Sequence, residues 1–398
     1  MKKNLLFVIE SLECAGAEKS LITLLSLLDY SRYSVDLMLF SRGTLLEELV
    51  PKEVILLDPL KYSEFSNLDL KEALLFSIRK LKFRMLSSRL KYSFRIRNEK
   101  YKDENVQKAR IYWESVSSVI ENNPKQYDAA ISYAQGIPTF YVAEKTKAKK
   151  KFAWVNTSYK LDKKEKEFQN KFYACYNKIV AVSASAKEIL LETFPDYSDK
   201  VKIIYDINNP KFIYNMSILG RGYDDKFNGI RILTIGRLAE GKGYDIALEA
   251  CKKLKEKEVN FRWYALGKGP LKEKIENYII ENNLTKDFIL LGVNANPYPF
   301  IKNSDIYVQT SRFEGFGLAI AEARMLNKPV VTTRFDAVYN QMKDGENGLV
   351  VDINSTAITE GIIKLIDNTE LRNNIIKYLQ SEKKGNVEEI EKFYQLIE

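Results

Sequence analysis

Short aliphatic and β-branched runs alternate with stretches of helical period along most of the chain. "NLLFVIES" leads into an apolar-periodic segment over about 17–28, and "SVDLMLF" and "EVILLD" follow. Beyond a basic stretch and a second helical pattern near 106–123 come "YDAAISY", "KFAWV", "KIVAVS" and "VKIIY". Strand-like runs separated by helices predict parallel sheets with helices on both faces. The alternation breaks over 206–229, where "DINNPKFIYNMSILGRGYDDKFNG" is rich in Asn, Gly, Asp and Pro. That stretch reads as a linker and the entry to a second domain. Alternation restarts with "IRILTIGRL", "FRWYALG", "FILLG", "DIYVQT", "KPVVTT" and "GLVVD", predicting a second sheet of six strands. The tail "VEEIEKFYQLIE" predicts a helix with Ile390, Phe393 and Ile397 on one side. The expected organisation is one domain over 1–207, a second over 208–383 and a terminal helical segment over 384–398. The fold class is α/β, with two doubly wound domains.

Composition narrows the chemistry. Hydrophobic residues at 45% and charged residues at 29% of 398 positions describe a globular chain without an 18-residue apolar run. The short apolar start "MKKNLLFVIES" lacks the length of a secretory signal. Cys14, Cys175 and Cys251 are scattered and odd in number, a reduced, cytoplasmic pattern without zinc spacing. The chain has no histidine, which excludes Ser-His-Asp and Cys-His nucleophile systems and every histidine metal site. No D-x-D is present to chelate a metal-nucleotide. Chemistry is left to carboxylates, Lys, Arg, backbone amides and the substrate itself.

Net charge is +9, and residues 71–102 alone hold eleven Lys and Arg against two Glu. Leu74, Ile78, Leu81, Met85, Tyr92 and Ile96 fall near a 3.6-residue period there, with the cations on the remaining faces. A basic amphipathic helix of this kind reads as a membrane-surface or acidic-partner element, or as a solvated helix covering a domain edge. No nucleic-acid motif accompanies it, so nucleic acid is not an expected partner.

Two doubly wound domains bind ligands outside the carboxyl ends of their strands. In "FVIESLECAGAEKS" Gly16 stands where a helix begins, which suits a phosphate or is simply a turn. In "LTIGRLAEGKGYD" the strand ends at Gly236, leaving Arg237 at its carboxyl edge, and Lys242 between two glycines opens the next helix. Two cations there match a diphosphate; the competing account is two surface cations on a loop. In "SRFEGFGLAIAEARMLNKPVVTT" Glu314 sits in a loop, the amides of Phe316 and Gly317 stand at a helix start near Leu318, and Glu322 lies in an apolar helix. A buried carboxylate needs a partner. Vicinal ribose hydroxyls donating to it would supply one, and so would a salt bridge to a neighbouring Arg.

These motifs resemble the family-4 retaining glycosyltransferases of the GT-B fold, bacterial surface-polysaccharide type. The resemblance rests on "AGAEKS", "GRLAEGKG", "LGKGP", "NPYPFIKNSDIYVQTS", the E-x7-E from Glu314 to Glu322, "NKPVVTT" and "NGLVV", and is densest over 230–366. It implies two Rossmann-like domains facing a central cleft, the first for the acceptor and the second for the nucleotide-sugar donor. The terminal helix would cross back to the first. Gly16, Arg237 and Lys242 would hold the diphosphate, Glu322 the ribose, and Glu314 with Phe316, Gly317 and Leu318 the donor sugar. Gly292 and Val293 would lie beside the base.

The implied reaction moves a hexose or N-acetylhexosamine from a nucleotide-diphosphate sugar, a UDP-sugar above all, to a lipid-linked or polysaccharide acceptor. It requires no cofactor and no metal. The implied location is the cytoplasm, with peripheral attachment to the inner face of the plasma membrane through 71–102. Two positions depart from the family pattern: Ala15 stands where many members have a second glycine, and Asn156 where a histidine usually contacts the donor sugar. Asn156, counted with Glu314, Arg237 and Lys242 as catalytic, can hydrogen-bond but carry no charge. A catalytically impaired pseudoenzyme serving as an accessory or binding subunit is therefore the alternative reading.

Overall fold

The computed structural model describes the chain except residues 1, 14–15, 45, 99–103 and 157–160, and the side chains of 104 and 105. The chain divides into two compact units, one chiefly Ala17–Tyr205 with Met1–Glu13 and Ile390–Glu398, the other chiefly Asp206–Glu389.

The first unit runs β1 (Lys3–Ile9), α1 (Gly16–Leu27), β2 (Tyr33–Leu39) and β3 (Val54–Leu56), then α2 (Lys61–Asn67), α3 (Leu70–Arg79), α4 (Phe83–Asn98) and α5 (Glu104–Val116). It continues with β4 (Gln126–Ser132), α6 (Ile137–Lys145), β5 (Lys147–Val155), α7 (Lys163–Tyr173), β6 (Lys178–Ala181), α8 (Ala184–Thr193) and β7 (Val201–Ile203). The strands form a parallel sheet in the order β3-β2-β1-β4-β5-β6-β7. β1 is buried along nearly its whole length because helices cover both faces, as an all-parallel sheet requires.

The second unit runs α9 (Pro210–Ser217), β8 (Ile230–Ile235), α10 (Tyr244–Glu256), β9 (Phe261–Leu266), α11 (Lys272–Glu281), β10 (Phe288–Gly292), α12 (Tyr298–Lys302) and β11 (Ile306–Gln309). α13 (Leu318–Met325), β12 (Val330–Thr333), β13 (Leu349–Val351), α14 (Ser355–Asp367) and α15 (Thr369–Ser381) complete it. Its parallel sheet has the order β10-β9-β8-β11-β12-β13. Side chains alternate between two cores, as the period of a strand demands. Ile232, Trp263, Val308 and Val331 join one with Leu254 and Ile358. Leu233, Tyr264, Tyr307 and Val330 join the other with Ile213 and Ile320.

The last helix, α16 (Glu389–Ile397), packs on the first unit. Phe393 lies over Phe7 with ring centroids 5.9 Å apart, and Tyr394 stacks on Tyr33 at 5.7 Å.

Three expectations need correction. The stretch 206–229 is more than a linker: Pro at the first helical position and the Asn209 side chain, accepting from the Phe212 amide, start α9, whose Ile213 enters the second core. The basic segment forms two helices instead of one, split where Leu81 takes a positive φ of 53°. Only Met85, Tyr92 and Ile96 of its expected apolar set turn inward, while Leu74, Ile78 and Leu81 remain exposed. Residues 99–102 of that segment lie outside the described residues. Lastly, Lys242 does not open a helix; it ends a 3₁₀ turn, Glu240–Lys242, and α10 begins two residues later.

Candidate functional site

In the second sheet the strand order reverses between β8 and β11, the place where doubly wound sheets bind ligands at the strands' carboxyl ends. Gly236 and Arg237 follow β8, and Thr310 to Glu314 follow β11. Arg237 is exposed, and its guanidinium has no hydrogen bond or ion pair among the described residues. Its backbone is held by the neighbouring loop. Leu238 N donates to Lys268 O at 3.0 Å, and Leu271 N donates to Leu238 O at 3.0 Å. That approach demands glycine at 267, since a Cβ there would fall 1.9 Å from the Gly236 carbonyl oxygen.

Lys242 is placed by a second such constraint. Gly243 has φ +64°, and a Cβ on it would lie 2.0 Å from the Thr310 carbonyl oxygen. The Thr310 hydroxyl in turn donates to Lys242 O at 2.9 Å. The lysine stem lies along Gly236, and its Nζ meets Glu314 Oε1 at 2.6 Å. The same carboxylate oxygen accepts from Ser311 Oγ at 2.7 Å and Gln309 Nε2 at 3.2 Å. The Gln309 side-chain oxygen Oε1 accepts from the buried Tyr307 hydroxyl at 2.6 Å, which orients the amide. The loop is also clamped by Arg312, bidentate to Asp245 at 2.8 and 2.6 Å.

Glu322 is 3% exposed and accepts from the Tyr298 hydroxyl at 3.0 Å. Arg324, two positions along the same helix, pairs with Glu382 at 2.7 Å. A tyrosine thus contributes to stabilising the buried carboxylate, a donor that neither reading of the sequence named. Gly317, at φ +84°, caps α13 ahead of Leu318. The Gln341 side-chain amide donates to the carbonyls of Phe316 and Gly317, fixing the turn that carries the first amides of the helix. Gly292 and Val293 stand at the carboxyl end of β10, an edge strand two positions from β8. The Gly267 amide donates to Gly292 O at 2.7 Å and ties that end to the loop beside Arg237.

On the first sheet, Gly16 begins α1 and is exposed. In the first turn of that helix burial pushes the Glu18 carboxyl up to about 7, with the nearby Glu10 and Glu13 charges adding to the rise and a bond from its own backbone amide opposing it. Asn156 follows β5; its Nδ2 donates to Tyr133 O at 2.7 Å, and its Oδ1 is buried without a hydrogen-bond partner among the described residues. Ala15 lies outside the described residues. Among the described residues no group of three or more Asp, Glu or Cys is placed to hold a metal ion.

The structure thus gathers Arg237, Lys242, Glu314 and the Gly317 turn around one switch point. Sequence reasoning missed the residues that hold them: Gln309, Ser311, Tyr298 and Gln341. Only Gln309 left a signal, as an amide ending an otherwise apolar strand.

Residues 225–382 match the family model described as glycosyl transferases group 1. An uncharacterized glycosyltransferase of Methanocaldococcus jannaschii is 32% identical over 205 residues, 50% of this chain and 53% of the relative. An N-acetylgalactosamine-N,N'-diacetylbacillosaminyl-diphospho-undecaprenol 4-alpha-N-acetylgalactosaminyltransferase of Campylobacter jejuni is 28% identical over 187 residues, 46% of this chain and 49% of the relative. The chain spans about half the length of the curated relatives it matches. Among solved structures, Anabaena HepE in complex with UDP and glucose superposes with a TM-score of 0.69 at 17% identity, covering 99% of this chain and 98% of the other. Two Rossmann-like parallel sheets that superpose over nearly the full chain identify the GT-B fold. Residues 225–382 thus resemble the group 1 glycosyl transferases, and the whole chain adopts the GT-B fold.

Proposed function

We propose that the protein is a retaining, family-4 glycosyltransferase that moves a hexose or N-acetylhexosamine from a nucleotide-diphosphate sugar to a lipid-linked or polysaccharide acceptor. The observation that carries this reading is the pairing of Lys242 with Glu314 at 2.6 Å, beside an unpartnered Arg237, at the strand-order switch of the second sheet. A UDP complex in a similar fold and a relative named for a diphospho-undecaprenol acceptor are consistent with it.

In the proposed reaction the bond between the anomeric carbon and the β-phosphate oxygen breaks, and its electron pair goes to the phosphate. The acceptor hydroxyl attacks the same face of the sugar, and its proton passes to the departing phosphate oxygen. Arg237 and Lys242 stabilise the charge that develops on the diphosphate, the kind of contribution that dominates most enzymatic rate enhancements. Glu322 accepts from the ribose hydroxyls, Glu314 from the donor sugar, and the Gly317 turn offers amides to the same ligand. Gly16, at the start of α1, offers a backbone amide to an anion. Gly292 and Val293 flank the base. Asn156 takes the place of a charged group near the donor sugar.

The test is hydrolysis and transfer by the purified protein across a panel of nucleotide sugars. Turnover of one UDP-sugar above background supports the reading. Binding without turnover on every donor sinks it and leaves the pseudoenzyme. A specific observation favours that second reading: Asn156 spends its amide on the Tyr133 carbonyl and carries no charge.

A further inference from the structure

We propose that α3 and α4 form a docking ridge for an anionic lipid bilayer, with a depression beside α4 that receives a phosphate headgroup. The inference does not depend on the transfer reaction.

α4 is apolar on two opposite sides. Met85 and Tyr92 pack on the core of the first unit. At 100° per residue, Phe83, Leu90 and Phe94 fall on the far side, and they are 52%, 52% and 70% exposed. A helix with two apolar faces has two surfaces to bury, and the fold of this unit covers one. α3 repeats the arrangement: Ala73 and Ser77 are buried, while Leu70, Leu74 and Ile78, spaced one turn apart, are 64%, 48% and 52% exposed. Leu81, in the turn joining the helices, is the most exposed of the set at 79%.

Charge identifies the occupant. Residues 71–98 carry nine Lys and Arg against a single Glu. Apolar side chains interleaved with cations match the interfacial region of an anionic bilayer, where hydrocarbon and negative headgroups lie within one layer. A second copy of this face would set like charges against each other. Among the described residues no helix is long and apolar enough to cross a membrane, so the ridge would lie on the surface.

Between α4 and the end of α5 lies an open depression of about 550 Å³, lined by Phe83, Arg84, Ser87, Ser88, Lys91 and Ser115, among others. Ser115 is 3% exposed, and its hydroxyl has no hydrogen-bond partner among the described residues. A buried polar group without a partner is costly, and a phosphate oxygen would satisfy it. Glu114 shares the wall, but its carboxylate is engaged by Arg95 at 2.6 Å and Arg110 at 3.2 Å. Two cations and a cluster of hydroxyls beside an apolar ridge match a phosphate monoester or diester joined to hydrocarbon.

The experiment is co-sedimentation of the full chain with vesicles of phosphatidylcholine alone or mixed with phosphatidylglycerol. Retention is expected on the mixed vesicles and not on the neutral ones. The triple variant F83S/L90S/F94S should lose at least ~10-fold in partitioning, and R84Q/K91Q should lose about as much on anionic vesicles. S115A should weaken retention on phosphatidylglycerol with an unchanged melting temperature. Equal retention on neutral vesicles, or retention by the triple variant equal to the parent with its circular dichroism spectrum intact, overturns the proposal. A parent that sediments as a dimer while the triple variant is a monomer overturns it in favour of a second copy.

Discussion

Lys242 Nζ and Glu314 Oε1 stand 2.6 Å apart, joining the end of a 3₁₀ turn after β8 to the loop after β11. The pair bridges the two strands between which the order of the sheet reverses. Each partner is about a quarter exposed or less, so the attraction is screened far less than at an open surface. The lysine charge is thus already shared with Glu314, while Arg237 has no ion pair among the described residues.

Replacing either cation tests the proposed charge stabilisation. Lys242→Ala and Arg237→Ala should each lower kcat by at least ~10²-fold with the donor that the panel identifies. Lys242→Ala also strips Glu314 of its ion pair, so it should show the larger stability loss by thermal melting. Near-normal turnover in both variants would remove diphosphate stabilisation from the mechanism.

Gln309 is predicted to position Glu314 without touching substrate. Gln309→Ala removes one donor to Oε1 and leaves the Tyr307 hydroxyl only the longer 3.5 Å bond to Ile235 O. A drop in kcat of about tenfold with KM little changed is expected, since a misplaced group acts on the reacting centre more than on binding. A rise in KM alone, with kcat intact, would make the residue purely structural.

For Glu322 the readout is nucleotide affinity. Glu322→Ala should weaken UDP binding by calorimetry, and Tyr298→Phe, which removes the hydroxyl 3.0 Å from the carboxylate, should weaken it about fivefold. Full affinity in Glu322→Ala would place the ribose elsewhere.

Gly243→Ala should cost about 2–3 kcal/mol, through a positive φ and a clash with a backbone carbonyl that has little room to move. The clash is with Thr310 O, 2.0 Å from the added carbon. Chemical denaturation measures the loss. A neutral substitution would show that the two loops are not held at this distance.

Acid should weaken the second unit through Asp225. Burial pushes its carboxyl up, but hydrogen bonds from Tyr264, Arg231 and Arg262 outweigh that and bring it down to about 2. The folded state therefore holds the proton less tightly than the unfolded chain, whose ordinary value is 3.8. This contribution is present above pH 3.8 and is lost as pH falls toward 2; it amounts to on the order of 1–2 kcal/mol after screening. Asp225→Asn should flatten that part of the acid-unfolding curve, and an unchanged curve would deny the linkage.

The chain by itself determined the two sheets. Every strand-like run in the sequence became a strand; central ones such as β1 and β11 are apolar along most of their length because both faces are covered. It also marked the turns beside the candidate site, since Gly243 and Gly317 take a positive φ that favours glycine. What it left open were partners distant in sequence. That Glu314 lies on Lys242, that Tyr298 rather than an arginine two places along reaches Glu322, and that Gln309 is turned by Tyr307 follow from which helix packs on which sheet face. The basic segment shows the same division. Its periodicity announced a helix, but a residue with positive φ at Leu81 cut it in two. Only the packing of α4 decided which of its two apolar faces the core would take and which it would leave to water.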